Sequence, residues 1–403
     1  MSVRNAALDT KAAPCCVIAN GTVVTPEGLL EGASVVVEEG RIVAVAVDAA
    51  FAGGPVHDAT GLLVLPGFVD LHSDAVESEI QPRPGGRFPV EMALVELDKR
   101  LAACGVTTMF HSLSFSATDK NEMRRAEVAR SVVMDIHDLS PRLTVRNLIH
   151  ARFEMIDVTC VPLMEALIAE GRIHLFSIMD HTPGQGQFVS MDHFRTYYGT
   201  VDHMTAEELE ALAERRVQAR KGLDLGHVER LAALCREHGV PMASHDDDSV
   251  EKVRWVRDIG IRLCEFPVSA EAAQCASTLG LHVLMGAPNI LRGSSLTGNL
   301  SGRRAVKEGW CDIIVSDYAP ASMLHALFEL ARLEVAPLNE LVNLVSLNPA
   351  RAVGMEREIG AIRKGRRADL VLVSAGEGVP RIRTTFVEGR PVFSTASTGE
   401  DAC

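Results

Sequence analysis

Eight short apolar runs, spaced by longer amphipathic segments, constrain this chain more than any other feature. In order they are LLVLPGFVDLH, GVTTMFHS, LTVRNLIH, RIHLFSIMDH, VPMASHD, IRLCEFP, LHVLMGAP and CDIIVSD, between about Leu65 and Met355. Strand-like runs alternating with helical patterning signal repeated βα units around a parallel sheet. Helical candidates between them include Ala206 to His238 and Ser322 to Val335. Eight strands close a barrel, and the span is near the roughly 250 residues such barrels use. The expected fold class is α/β, a TIM-like (β/α)8 barrel. An open doubly wound sheet is the structural alternative.

The flanks have a different style. Val17 to Ala46 and Ala368 to Phe393 carry short β-type runs broken by glycine-containing turns. Each flank alone is too small to bury a core, so the two are expected to pair into one small β-sandwich module. The expected division is residues 1–64 with 356–403 as that module, and 65–355 as the barrel. Met1 to Ala13 lack the apolar run of a signal peptide and read as a disordered start.

Composition narrows the function classes. Hydrophobic residues make up 47% and charged residues 23%, and no run approaches the roughly 18 apolar residues that a spanning helix needs. The net charge of -13 argues against a general nucleic-acid surface while leaving room for a local cationic pocket. Nine cysteines without CxxC spacing argue against a disulfide framework and for a reducing cytoplasm. The expected partner is a small phosphorylated substrate, with neither nucleic acid nor membrane, and a homodimer is the expected assembly.

Polar, metal-capable residues stand at or just after the ends of many runs: His72, Asp74, His111, His150, Asp180, His181, His245, Glu265 and Asp317. In a closed barrel these ends converge on one face, where active sites are built. His72 and Asp74, two residues apart, point to one side of an extended chain and suit one metal. Imidazole with carboxylate serves Zn, Mn or Fe better than Ca or Mg. His181 and His245 each open a polar loop and are candidate ligands of a second ion, against the plainer reading of bonds to a local carbonyl. Asp317 is the candidate general base and also a metal ligand; the plain alternative is an N-cap for a helix near Ser322. Glu154 is a candidate bridge between two ions, or else a salt-link partner of Arg152. Glu265 is open between ligand, support for an imidazole and paired core acid, and stands outside the expected metal set.

Two loops add cationic and small polar residues. Gly286 to Gly302, GAPNILRGSSLTGNLSG, reads as an anion-binding loop in which Asn289, Arg292, Ser294, Ser295 and Asn299 are candidate substrate contacts. QPRPGGRFP offers Arg83 and Arg87 just after the first metal motif. Both stretches could equally be ordinary surface loops.

LPGFVDLHSD, HARFEM, MDHTPGQGQF, SHDDDSVE, GAPNILRGSSLTGN and SDYAPASML, in that order, resemble the PhnM-type amidohydrolases of the carbon-phosphorus lyase pathway. The resemblance runs from about Val17 onward. It implies a metal-dependent hydrolase with two divalent ions, zinc first with Mn or Fe as alternatives. It also implies splitting of α-D-ribose 1-methylphosphonate 5-triphosphate into the 5-phosphate and pyrophosphate. His72 and Asp74 match the first-strand motif, which replaces the second histidine of the wider superfamily's His-x-His by aspartate. His181, His245 and Asp317 match later-strand positions. No lysine closes the fourth strand, which leaves Glu154 as the bridging candidate. The rival enzyme reading is hydrolysis of a cyclic amide, ester or N-acyl substrate, and the rival of another class is a non-catalytic barrel scaffold.

Overall fold

The computed structural model describes residues 15–47, 53–83, 85–116, 121–186, 188, 191, 194–195, 204–295, 298–376 and 378–395; the expected disordered start lies outside them. The first runs form an antiparallel meander, β1 (Cys16–Thr25), β2 (Gly28–Glu38) and β3 (Arg41–Val47). Two short strands follow, β4 (Val56–Asp58) and β5 (Leu63–Pro66), both parallel to β1.

Each of the eight apolar runs becomes a barrel strand: β6 (Phe68–Ser73), β7 (Val106–Phe115), β8 (Arg146–Glu154), β9 (Leu175–Met179), β10 (Met242–His245), β11 (Leu263–Glu265), β12 (His282–Gly286) and β13 (Ile313–Val315). They lie side by side in sequence order, with every neighbouring pair parallel. The open-sheet alternative is excluded at the seam between β6 and β13. Above the last residue of β13, Asp317 accepts from the Asp74 N–H (2.7 Å) and donates to the His72 carbonyl (2.9 Å). Lower down, the Leu344–Val345 segment wedges between the two strands, accepting from Ile314 N–H on one side and Val69 N–H on the other. The barrel is therefore nearly, not fully, closed by strand pairing.

Strand side chains alternate between faces, which divides the apolar residues into two sets. Val69, Leu71, Phe110, Leu175, Ala243, Leu263, Leu284, Ile313 and Val315 fill the barrel interior, with Leu148 packed against them. The opposite set, including Ile149, Ala151, Phe153, Phe176 and Ile314, faces the surrounding helices. Gly67, at the entry to β6, has no room for a side chain, since a Cβ there would collide with Thr107.

The carboxy-terminal flank supplies β14 (Leu370–Ser374), β15 (Arg381–Val387) and β16 (Arg390–Ser394). β14 pairs antiparallel with β5, Val371 opposite Leu65, and so joins the two ends of the chain in one sheet of eight mostly antiparallel strands. Its own apolar cluster includes Ile18, Val35, Ile42, Val64, Leu370 and Phe386. An ion cluster ties this module to the barrel. Arg146, on β8, donates to Asp369 at 2.5 and 3.1 Å and to Glu388 at 3.2 Å.

Helix boundaries differ from the expectation in one place. Residues 206–238 form two helices, Ala206–Arg220 and Gly226–Glu237, rather than one. Gly222 has φ of 71°, a left-handed conformation that ends the first helix, and the Asp224 side chain accepts from Gly226 N–H at the start of the second. The later candidate is the helix Ser322–Arg332. Among the described residues no helix is long and apolar enough to cross a membrane.

Two histidines outside the candidate ligand sets, His111 buried and His174 half-buried, give the fold a pH dependence. Burial pushes His111 down to about 4, partly offset by its 2.7 Å hydrogen bond to Asn147. Burial and then the neighbouring His137 push His174 down to about 4. Both rings stay neutral in the fold but would protonate in the unfolded chain near pH 6.5. Stability is thus full above that pH and falls as pH drops toward 4, by up to about 1.4 kcal/mol per pH unit for a fully buried ring. Urea unfolding between about pH 7 and pH 5 should show this decline, and His111→Gln should make it shallower.

Candidate metal centre

The strand ends deliver their side chains to one mouth. His72 is on the last turn of extended chain in β6, and Asp74 follows it just before the helix Ala75–Ile80. His245 closes β10 and stands in register with Glu265, which closes β11. Three sets of side chains bring potential ligand atoms within 4.8 Å of one another: His72, His245 and Glu265; His181, His245 and Asp246; and His72, Asp74 and Asp317. His72 and His245 each belong to two sets, so the sets form one connected centre.

Backbone conformation aims several of these groups. Asp246, Phe266 and Asp317, each just beyond a strand, have φ of 53°, 52° and 62°. This left-handed step turns the chain sharply where the carboxylates of Asp246 and Asp317 must enter the mouth. The Phe266 ring packs edge-on against His72 and His245, at centroid distances of 4.9 and 5.2 Å.

Supporting bonds hold the imidazoles. Glu265 is fully buried, with Oε1 3.3 Å from His72 Nδ1 and Oε2 3.7 Å from His150 Nε2. His150 Nδ1 lies 3.0 Å from the Leu71 carbonyl and 3.1 Å from Ser112 Oγ. Glu154 accepts from the His181 backbone N–H at 3.0 Å and stands 2.8 Å from its Nδ1. His181 Nε2 is thereby turned toward Asp246, 3.7 Å away. Arg152 lies in the middle, donating to Asp74 Oδ1 at 2.9 Å and lying 3.3 Å from His245 Nε2.

Burial decides the charge states. It is the main cause that lowers His72 and His150 well below the usual histidine range, with the Arg152 charge next, and burial lowers His245 as well. Neutral imidazoles are the form that binds metals. Burial drives Glu265 well above the carboxylate range. Burial, then the charge of Asp74, raises Asp317 to about 7, in the range where a general base works.

The centre also concentrates unsatisfied polar atoms. His150 Nε2, His245 Nδ1, Asp246 Oδ2 and Glu265 Oε2 are buried without a hydrogen bond. His245 Nδ1 and Asp246 Oδ2 are only 2.9 Å apart but are not aligned to bond. Buried polar groups are nearly always satisfied, so a cluster of exceptions among metal-capable side chains fits a cation site. The mixed imidazole and carboxylate set suits a divalent transition metal. The residues present fit the metal role.

Of the six expected metal residues, His72, Asp74, His181, His245 and Asp317 belong to the three sets. Glu154 does not, and its place beside His181 suits it to orienting that ring. It is the last residue of β8, and both its oxygens are engaged by His181. Arg152, its alternative partner, pairs with Asp74 instead. Two residues outside the expected set join it, Glu265 and Asp246.

The substrate candidates divide. Arg292 is exposed, bonds Tyr318 Oη at 2.7 Å and is near enough to Asp317 to lower its pKa, against burial and acidic neighbours that raise it. Asn289 is not free: its Nδ2 donates to the Leu300 carbonyl (3.0 Å) and its Oδ1 accepts from Gly302 N–H (2.9 Å), so it braces the loop. Ser294 is exposed and Ser295 and Asn299 half-buried in the same loop, of which residues 296–297 lie outside the described ones. Arg83 and Arg87 are exposed, Arg83 on a tight turn closed by Gly86 N–H to its own carbonyl (2.9 Å). Among the described residues no hydrogen bond ties Arg83 to the centre.

A carboxylate that orients a ligating histidine and one that binds metal directly fail differently. Glu154→Gln should weaken metal binding by about 10- to 100-fold with stoichiometry unchanged, the usual effect of losing an orienting partner. Metal titration with a chelating indicator checks this, and loss of one ion per chain would return Glu154 to a bridging role.

Comparison with known proteins agrees with this architecture. The family model described as "Amidohydrolase family" matches residues 63–392. Alpha-D-ribose 1-methylphosphonate 5-triphosphate diphosphatase of Escherichia coli (strain K12) is 33% identical over 340 residues, covering 83% of this chain and 89% of that protein. Imidazolonepropionase of Symbiobacterium thermophilum is 25% identical, covering 86% of this chain and 84% of that protein. Among solved structures, molinate hydrolase superposes with a TM-score of 0.65 at 14% identity, over 96% of this chain and 99% of that one. A beta-aspartyl dipeptidase from Fervidobacterium islandicum AW-1 gives 0.63 at 16% identity, over 96% and 100%. Such low identities bear on the fold alone. The family match over most of the chain and the identity to the diphosphatase carry the assignment: this chain belongs to the amidohydrolase family and, within it, resembles the PhnM type.

Proposed function

We propose that this hydrolase splits α-D-ribose 1-methylphosphonate 5-triphosphate, with water, into the 5-phosphate and pyrophosphate. The observation that carries the reading is the 33% identity to a diphosphatase of that substrate over 89% of that protein's length. Arg292 beside Asp317 supports it with a cation at the rim suited to phosphate oxygens.

His72, Asp74, His181, Asp246, His245 and Glu265, with Asp317, would hold two divalent ions, zinc first with Mn or Fe as alternatives. Such ions polarise phosphoryl oxygens and lower the pKa of a water toward neutrality. Asp317 takes the proton from the attacking water as oxygen adds to the ribose-bearing phosphorus. The bond from that phosphorus to the diphosphate oxygen breaks, and Arg292 offsets the charge left on the diphosphate. The protein then works in the cytoplasm on a small phosphorylated substrate, as a homodimer.

The test is release of pyrophosphate from a ribose 1-alkylphosphonate 5-triphosphate by metal-analysed protein, with ATP and a small cyclic amide as comparisons. Chelator-sensitive release from the first substrate is expected. Turnover of the cyclic amide alone would favour carbon-centred hydrolysis, the chemistry suggested by the likeness to imidazolonepropionase. Asp317→Asn should lower turnover by about 100-fold or more, the range for loss of a general base, while metal content at saturation is largely kept. His72→Ala and His245→Ala should lose both; equal metal loss in all three variants would count against Asp317 as the base.

A further inference from the structure

Arg152 is a cation that bonds the side chains of two ligand-set residues, whereas Lys252 reaches, among those residues, only the His245 and Asp246 carbonyls. The position of Arg152 follows from strand alternation. Leu148, His150, Arg152 and Glu154 share the inward face of β8, and Leu148 packs with the interior apolar floor. The Arg152 side chain is 8% exposed, so its charge has been taken almost wholly out of water. Such burial is costly unless the charge is paired. The pairing comes from two potential metal ligands: Nη1 donates to Asp74 Oδ1 at 2.9 Å, and Nη2 meets His245 Nε2 at 3.3 Å. Its Nε is buried with no hydrogen bond. The guanidinium is thus held by Asp74 and His245, with its Nε–H left unpaired.

We propose that Arg152 is a built-in counterion which metal binding displaces from His245. The ligand sets contain four carboxylates, Asp74, Asp246, Glu265 and Asp317, packed among neutral imidazoles. Without a cation, like charges this close would oppose folding. One guanidinium offsets part of that charge while the chain folds. A metal ion that takes His245 Nε2 must remove the guanidinium from it, since that ring nitrogen has a single lone pair, whereas a carboxylate such as Asp74 can serve both partners. The freed cation stays on β8, within the same mouth. The retained guanidinium keeps a positive charge in the mouth of the loaded centre, where an anionic substrate would meet it. That last consequence rests on the phosphoanhydride reading; the displacement itself does not.

The experiment is calorimetric titration of Mn(II) into chelator-treated protein. Arg152→Met keeps the length of the side chain and removes the charge, and should bind Mn(II) about tenfold or more tighter than wild type, because no cation need be expelled. Arg152→Lys keeps the charge and should bind like wild type. Affinity in Arg152→Met equal to or weaker than wild type, with unchanged circular dichroism, would overturn the proposal. Should Arg152→Met not fold without metal, wild-type protein carrying nitrogen-labelled arginine decides the matter. One Nε resonance, missing in Arg152→Lys, should move on metal addition, and a stationary resonance would overturn the displacement. Failure of wild type to bind any Mn(II) or zinc would sink the metal reading and this proposal together. Failure of pyrophosphate release alone would leave the displacement standing.

Discussion

The seam between the first and last barrel strands is the constraint on which the rest depends. Its upper hydrogen bonds run through Asp317, whose N–H and carbonyl engage His72 and Asp74. The same three residues make one of the ligand sets. Closing the barrel and assembling part of the centre are therefore one event, made by residues some 240 positions apart in the chain. Asp70, one turn of strand below, strengthens the seam by accepting from both Ser316 N–H (3.0 Å) and His72 N–H (3.3 Å). Burial raises its pKa to about 6, so this support is a carboxyl poised close to neutrality.

Below the seam the interior is apolar, and above it the polar content rises steeply. The floor of Val69, Leu71, Phe110, Leu263 and Leu284 keeps water from the base of the mouth. That dryness raises Glu265 and Asp317 and lowers His72 and His245. A dry, ligand-rich mouth is unfavourable for the polypeptide alone, since unpaired groups such as Glu265 Oε2 have lost their water. The module built from both chain ends, anchored through Arg146 and Asp369, holds the outside of the barrel while the mouth carries this cost.

Much of this could be read directly from residue order. Hydrophobic runs of strand length, each ending in a polar residue, are visible because strand burial is written in contiguous residues. All eight became strands, and five of the six expected metal residues fall in the candidate ligand sets, with the sixth, Glu154, beside His181. Glu265 was visible as a run-end residue but ambiguous; its register with His245 is the signal that resolves it, and register is a property of paired strands. Asp246 sat inside an acidic triplet where Asp246, Asp247 and Asp248 look alike. The structure separates them: Asp247 bonds Ser244 Oγ at 2.5 Å, Asp248 accepts from Gly186 N–H at 2.8 Å, and Asp246 alone joins a ligand set. Glu154 stays ambiguous in sequence because a carboxylate that binds a metal and one that binds a ligating histidine leave the same trace there.

The left-handed backbone at Asp246, Phe266 and Asp317 bears on how this protein could be altered. A non-glycine residue held there stores energy of order 1 kcal/mol or more, which glycine would release. At Asp246 and Asp317 glycine would also delete a ligand, and at Phe266 it would remove the ring wedged against His72 and His245. Selection for thermal robustness alone would thus reward erasing the very positions that give the mouth its chemistry. In a collection of stabilised descendants, glycines at these three strand ends would mark chains that had kept the barrel and surrendered the reaction.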